Sequence, residues 1–184
     1  RPDLPANSVK ELVAVAKQNP GKYTYASWGV GSTSQLGMEM FKAKAGIDLV
    51  HVPFQGAAPA IVALIAGQVD LMVMGAGAAA RQAGKVKVFA VTLPERFFIL
   101  PNAPTLKEEG YPDVNAYNWG GVVAPAKTPA PIVQRLATEI QAVLQLPDIK
   151  EKYRAIGVDT HAPMSQPDFN KFMAAEIVRW GEVI

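Results

Sequence analysis

Three times in its first half the chain runs from a short β-forming segment through a glycine-bearing turn into a helix-forming one, and this order dictates parallel strands joined by crossover helices. The first strand is expected over Tyr23 to Trp28. It gives way at Gly29-Val30-Gly31-Ser32-Thr33-Ser34 to a helix carrying Leu36, Met40 and Phe41, which Gly46 ends. The second runs from Asp48 to Val52 and leads through Pro53-Phe54-Gln55-Gly56 into a helix with Pro59 in its first turn and Ile61, Val62, Leu64 and Ile65 inside. The third, Val69 to Met74, is mostly apolar, as in strands buried on both faces of a parallel sheet. A helix headed by Ser8, with Glu11 as capping-box partner, comes first and runs to about Gln18; another short strand is expected over Val86 to Thr92. The fold class is therefore α/β, with largely parallel strands flanked by helices.

Beyond Leu93 the pattern changes. Pro94, Pro101, Pro104 and Pro112 mark a crossing region with a short helix near Thr105 to Glu109. Tyr117 to Ala124 reads as one more strand. A helix started by Pro129 and Pro131 then presents Ile132, Leu136, Ile140 and Leu144 at four-residue spacing, and a short helix follows from Pro147. Ser165 and Asp168 cap a last helix with Phe169, Phe172, Met173 and Trp180 on one side. Such bulky faces need a partner surface. Residues 3–115 are accordingly expected to form one lobe and residues 116–184 part of another.

Composition excludes several functions. At 184 residues, 49% hydrophobic and 18% charged, the chain can bury a core. A formal charge of +2 without a clustered basic stripe argues against a nucleic-acid partner. Absence of cysteine excludes a disulfide scaffold, thiol catalysis and cysteine-ligated metal. His51 and His161 stand far apart without ligand-like spacing, so neither a metal nor another cofactor is expected. The longest apolar runs are broken by Gln68, Asp70 or Arg81, short of the ~20 residues of a membrane helix. Arg1 to Pro5 lack a secretory profile and read as mid-chain linker.

The stretch Ser27-Trp28-Gly29-Val30-Gly31-Ser32-Thr33-Ser34 is suited to holding an anion. A helix start offers unpaired N–H groups and about half a positive charge, glycines allow close approach, and Ser32, Thr33 and Ser34 add hydroxyls. The alternative is that these residues only cap the helix. The glycines fit neither G-x-G-x-x-G nor a P-loop, so nucleotide binding is disfavoured. Pro53, Phe54 and Gly56 repeat the device after the second strand, and ligands favour the carboxyl ends of adjacent parallel strands. Gly75 in Met74-Gly75-Ala76-Gly77 supplies either a third turn or close packing for the segment that follows. Trp119, beside Asn118 and Gly120-Gly121, is either a ligand cover or a core anchor. No nucleophile elbow or spaced carboxylate pair marks a catalytic centre; Asp70 reads as a strand-end or locally paired residue and His51 as a solvent-facing or hydrogen-bonded one.

An ordered series of motifs extends from about Leu4 to the last residue. It comprises Tyr25-Ala26-Ser27 through Gly31-Ser32 to Leu36, then His51-Val52-Pro53-Phe54-Gln55-Gly56 and Gly67-Gln68-Val69-Asp70-Leu71-Met72. Gly84-Lys85-Val86 with Ala90-Val91-Thr92, Pro104-Thr105, Glu109-Gly110 and Trp180-Gly181 complete it. The series resembles the Bug family, the extracytoplasmic solute receptors of tripartite tricarboxylate transporters. That resemblance implies a two-lobed periplasmic binding protein of the type II arrangement, which closes on a small carboxylate, hands it to a membrane permease and catalyses nothing. It implies a periplasmic location, a signal peptide and first-lobe residues upstream of Arg1, and a few further residues after Ile184. By position, Gly31 and Ser32 match the family's carboxylate-binding turn best; Gln35 stands where His is common and Phe54 where Tyr is usual. Met74-Gly75-Ala76-Gly77 departs most, and its small apolar residues suit a ligand with an uncharged or bulky tail. Two other classes share parts of this architecture: the effector-sensing domain of a transcription regulator, and an α/β enzyme on an anionic substrate.

Overall fold

The computed structural model describes residue 1, residues 3–160 and residues 164–184; His161 lies outside the described residues. In chain order they form α1 (Val9–Gln18), β1 (Thr24–Ser27), α2 (Thr33–Ala45), β2 (Val50–Pro53), α3 (Ala57–Ile65), β3 (Leu71–Met72) and α4 (Ala76–Arg81). After the crossing region come α5 (Ala130–Gln145), α6 (Pro147–Ala155) and α7 (Gln166–Gly181). The described residues divide into two compact units, Arg1–Asn118 and Trp119–Ile184.

In the first unit the three strands pair in parallel in the order β2-β1-β3. Side chains of the central β1 alternate between the two faces. Tyr25 joins the apolar cluster of Leu4, Val9, Leu12, Ala16, Met38, Phe41 and Leu49, so α1 and α2 cover that face. Ala26 joins Ala60, Ala63, Leu64 and Val69 under α3 on the other. Asp70 stands at the entrance of β3, where its Oδ2 accepts from Thr24 N at 2.7 Å and Thr24 Oγ1 at 3.0 Å, and its Oδ1 meets Arg1 Nε at 3.1 Å. Asp70 thus takes the strand-end position read from the sequence, and its partners are distant in the chain rather than local.

Helix limits follow their caps. Ser8 Oγ accepts from Glu11 N, while Glu11 Oε2 reaches Asn7 N at 2.7 Å, a reciprocal pair shifted by one residue from the usual capping box. Gly46 closes α2 in the left-handed region at φ 62°. The short helix expected near Thr105 is a single self-capped turn, with Thr105 Oγ1 accepting from Glu108 N and Glu108 Oε2 from Thr105 N. The run of alanines after Gly75 forms the short helix α4 and buries Gly77 and Ala79.

Two expected strands do not form. Over Val86 to Thr92 only isolated bridges occur, Ala83 with Val86 and Val91 with Thr105. Lys87 draws this segment toward the start of α1, its Nζ donating to the Leu4 and Ala6 carbonyls at 2.9 and 3.1 Å. Tyr117 to Ala124 belongs to no strand of the described sheet, and Val122 and Val123 face solvent. No strand among the described residues lies beside it, and β structure requires a neighbour to satisfy its N–H and C=O groups. In the second unit α5 buries no residue, and Ile132 and Leu136 on its apolar face are 51% and 49% exposed.

Gly37 on α2 is buried where an added Cβ would stand 2.7 Å from Ala116 Cβ. Gly37→Ala is expected to lower stability by about 1–2 kcal/mol, overpacking outweighing a helix-propensity gain of about 1 kcal/mol. An unchanged or raised denaturation midpoint would show that Ala116 yields freely.

Candidate functional site

Parallel pairing brings the carboxyl ends of all three strands to one edge. Ser27 ends β1 in register with Pro53 at the end of β2, and Ala26 is in register with Met72 of β3. Phe54 N donates to Ser27 O at 2.9 Å, so the turns that open α2 and α3 are neighbours. Val73 to Gly75 leaves the same edge on the other side of β1. The first turn needs its glycines: Gly29 has φ 136° and Gly31 φ 75°, both in the region that side chains disfavour.

The hydroxyls of this turn are engaged within the protein. Ser27, fully buried, has its Oγ 2.7 Å from His51 Nε2 and 3.2 and 3.1 Å from the N and O of Gly29. Ser32 Oγ donates to Gly29 O at 2.6 Å and accepts from Gln35 N at 3.4 Å, which makes it the N-cap of α2. Ser34 Oγ, also fully buried, donates to Val73 O at 2.5 Å and ties α2 to the third turn. Thr33 Oγ1 bonds Asn118 Oδ1 at 2.5 Å. One backbone group of the turn is engaged by a side chain: Gln35 Oε1 accepts from Gly31 N at 2.7 Å on the exposed side.

Backbone donors at the edge remain open. Thr33 N–H, in the first turn of α2, has no acceptor among the described residues. At α3 the N-cap is Gly56 at φ 110°, without a side-chain cap bond, and the exposed Ala57 and Ala58 present their N–H groups with no acceptor among the described residues. Phe54 is half-buried beside this helix start, Pro53 is exposed, and Trp28 is half-buried in the first turn. Gly75 is exposed at the start of α4. No Lys or Arg occurs in residues 23–41 or 45–80, so an anion here would meet peptide dipoles and no basic side chain from the turns. Among the described residues no group of three His, Asp or Glu could hold a metal ion. The edge is open; concave pockets occur elsewhere, one of about 260 Å³ lined by Leu93, Pro94, Lys107, Pro112, Val114 and Asn115.

Trp119 belongs to the second unit. Its ring meets Phe169 and Phe172 edge-on with centroids 5.9 and 5.0 Å apart, and its Nε1 donates to Glu176 at 3.0 Å. Glu176 also accepts from Arg179 and from Trp180 Nε1 at 3.2 Å, and the Arg179 bonds lead in holding its carboxyl below the usual range. The indole is thus anchored within its own unit and still 42% exposed.

Gly29, Gly31 and Ser32 shape the first turn and Gly56 the second, at the edge to which sequence reasoning assigned them. Two contributors were less visible in the sequence. Ala57 and Ala58 carry no polar side chain, and the signal for them was only a glycine followed by two alanines and Pro59, a helix start with nothing to cap it. His51 reads as an ordinary strand residue until the register sets it beside Ser27.

With this geometry established, comparison with known proteins is decisive. The model of the tripartite tricarboxylate transporter family receptor matches residues 1–184. The chain belongs to this receptor family. Among curated relatives, a UPF0065 protein from the tcbD-tcbE intergenic region of Pseudomonas sp. strain P51 is 35% identical over 98% of the chain and 56% of its own length. Protein BugT of Bordetella pertussis is 32% identical over 100% of the chain and 56% of its own. The chain therefore spans a little over half the length of these relatives. Among solved structures, Rpa4515 of R. palustris with adipate superposes with TM-score 0.90 at 34% identity, over 98% of this chain and 61% of that one. MatC of Rhodopseudomonas palustris with bound malate gives 0.87 at 29% identity, over 97% and 62%. The periplasmic binding protein BugD gives 0.85 at 33%, over 98% and 62%. Over the part it spans, the chain has the α/β fold of these proteins, among them a periplasmic binding protein.

Removing the fully buried Ser34 hydroxyl leaves the carbonyl of half-buried Val73 without this donor, so Ser34→Ala is expected to cost about 1–3 kcal/mol in urea denaturation. Ser32→Ala, which deletes a cap, should cost about 0.5–2 kcal/mol. A Ser34→Ala protein as stable as the parent would show that Val73 finds another donor.

Proposed function

We propose that this chain is part of an extracytoplasmic solute receptor that binds a small carboxylate and passes it to the membrane subunits of a tripartite transporter, without chemical conversion of the ligand. The observation that carries this reading is the pair of neighbouring helix starts, α2 and α3, with N–H groups open at one edge of a parallel sheet. Membership of the receptor family supports it, as do the adipate and malate held by structurally similar proteins.

In this reading residues 3–115 are the second lobe and residues 116–184 return into the first. The segment Tyr117 to Ala124, which joins no strand of the described sheet, and the exposed face of α5 would then pack in a lobe whose remaining residues lie outside this chain. A periplasmic location, with an upstream signal peptide, follows from the same assignment. Thr33, Gly56 and the alanines after it offer N–H groups to a carboxylate; Gly29, Gly31 and Gly75 keep the backbone accessible, and Ser27, Ser32 and Ser34 hold the turns in shape. Trp28, Pro53 and Phe54 are candidate apolar walls. Peptide donors suit this task because they bind a negative charge without a buried cation whose desolvation must be offset.

A backbone donor can be deleted where the helix tolerates it. Ala57 is the first residue of α3 and follows a glycine with ψ 172°, compatible with proline at the next position. Ala57→Pro in the full-length protein is expected to retain its melting temperature and lose carboxylate affinity by about 1.5–3 kcal/mol, the worth of a hydrogen bond to a charged group. Titration calorimetry with adipate, malate and related di- and tricarboxylates measures this. Full affinity in the proline variant removes α3 from the site; if none of the acids binds the parent protein, the carboxylate reading fails.

A further inference from the structure

The buried Ser27 hydroxyl makes more contacts than its single proton can donate to. Its oxygen lies 2.7 Å from His51 Nε2, 3.2 Å from Gly29 N and 3.1 Å from Gly29 O. A hydroxyl offers one donor and two acceptor positions, so the state of His51 decides where that donor points. In the neutral ring that carries its proton on Nδ1, Nε2 is bare, the Ser27 proton is drawn to the imidazole and Gly29 O loses this donor. With Nε2 protonated, the oxygen accepts from both His51 and Gly29 N, and the proton turns to Gly29 O. Gly29 begins the turn that opens α2, and its carbonyl also receives the Ser32 hydroxyl at 2.6 Å.

We infer that neutral His51 carries its proton on Nδ1 and is a positioning residue of the proposed carboxylate seat, acting through Ser27 on the Gly29 turn, so that ligand binding and protonation of His51 at Nε2 reinforce each other. The inference rests on the carboxylate reading above. The groups facing His51 are few: its ring stacks on Tyr25 with centroids 4.8 Å apart and planes at 18°, and the Tyr25 hydroxyl bonds Glu39 of α2. Lys42 of α2 pairs with Glu39 at 3.0 Å and sits 5.5 Å from the Tyr25 ring centroid. Burial first, and Lys42 further, hold His51 below its usual range, while Glu39 opposes them. Glu39 is already paired, so an imidazolium has no carboxylate to itself. A ligand carboxylate at the edge supplies one and stabilises the charged ring. By reciprocity the charged ring strengthens the grip on the ligand, and affinity rises as pH falls toward the ordinary histidine range.

Two measurements on the full-length protein test this. In ligand-free NMR titrations the Gly29 and Gly31 amide signals should move with the midpoint of the His51 ring, and the coupling should vanish in Ser27→Ala. Independent titration, or coupling that survives loss of the hydroxyl, overturns the inference. In calorimetry with adipate and malate, affinity should rise about three- to tenfold from pH 8 to pH 6, as expected for one charge screened by protein and water. It should stay flat in His51→Gln, whose amide still reaches Ser27 without taking a proton. Equal pH dependence in parent and variant overturns the inference even if both bind. Failure of the parent to bind either acid at either pH refutes the carboxylate reading instead, and the amide titration then decides the role of His51.

Discussion

The register between β1 and its two neighbours is the constraint from which the rest of the first unit follows. Because Ser27 meets Pro53 and Ala26 meets Met72 in parallel, three chain reversals occur at one edge, and two of them start helices of nine or more residues. A parallel pair cannot be closed by a tight turn, so each strand must be followed by a crossover, and the helix starts inevitably gather where the strands end. Tyr25 and Ala26 are wholly buried on opposite faces, and sliding β1 by one residue would exchange the two apolar clusters they join.

Division of labour at this edge runs against the simplest reading of a serine-rich turn. Ser27, Ser32 and Ser34 face inward or along the backbone, bonding Gly29, Gln35, Val73 and His51, and so fix the turn from which α2 starts. The donors left for a guest are peptide N–H groups, most openly those of Ala57 and Ala58. The side chains therefore cap and brace the turns, and the donors left open at this edge belong to the backbone. Gln35 holds the Gly31 N–H from the exposed side, where its flexible side chain can give way.

Much of the architecture could be read before any coordinates. The limits of α1 and α2 follow from Ser8, Ser32 and Gly46, whose chemistry acts within a few residues of itself. Val86 to Thr92 and Tyr117 to Ala124 have the composition of strands and are not strands here, since pairing depends on what lies alongside. Lys87 found three oxygens near the start of α1, and the glycine pair after Trp119 found no neighbouring strand among the described residues.

Local chemistry in the sequence was enough to determine the α/β class, the helix caps, the glycine turns and the motif series that places the chain in its receptor family, because each depends on neighbours a few residues away. The tertiary structure alone decided that the hydroxyls of the first turn are engaged internally, that uncapped alanines supply the open donors, and that His51 stands against Ser27. Those outcomes depend on which strands lie side by side, and a hydrogen bond between residues 24 apart in sequence becomes visible only when the sheet has set their distance.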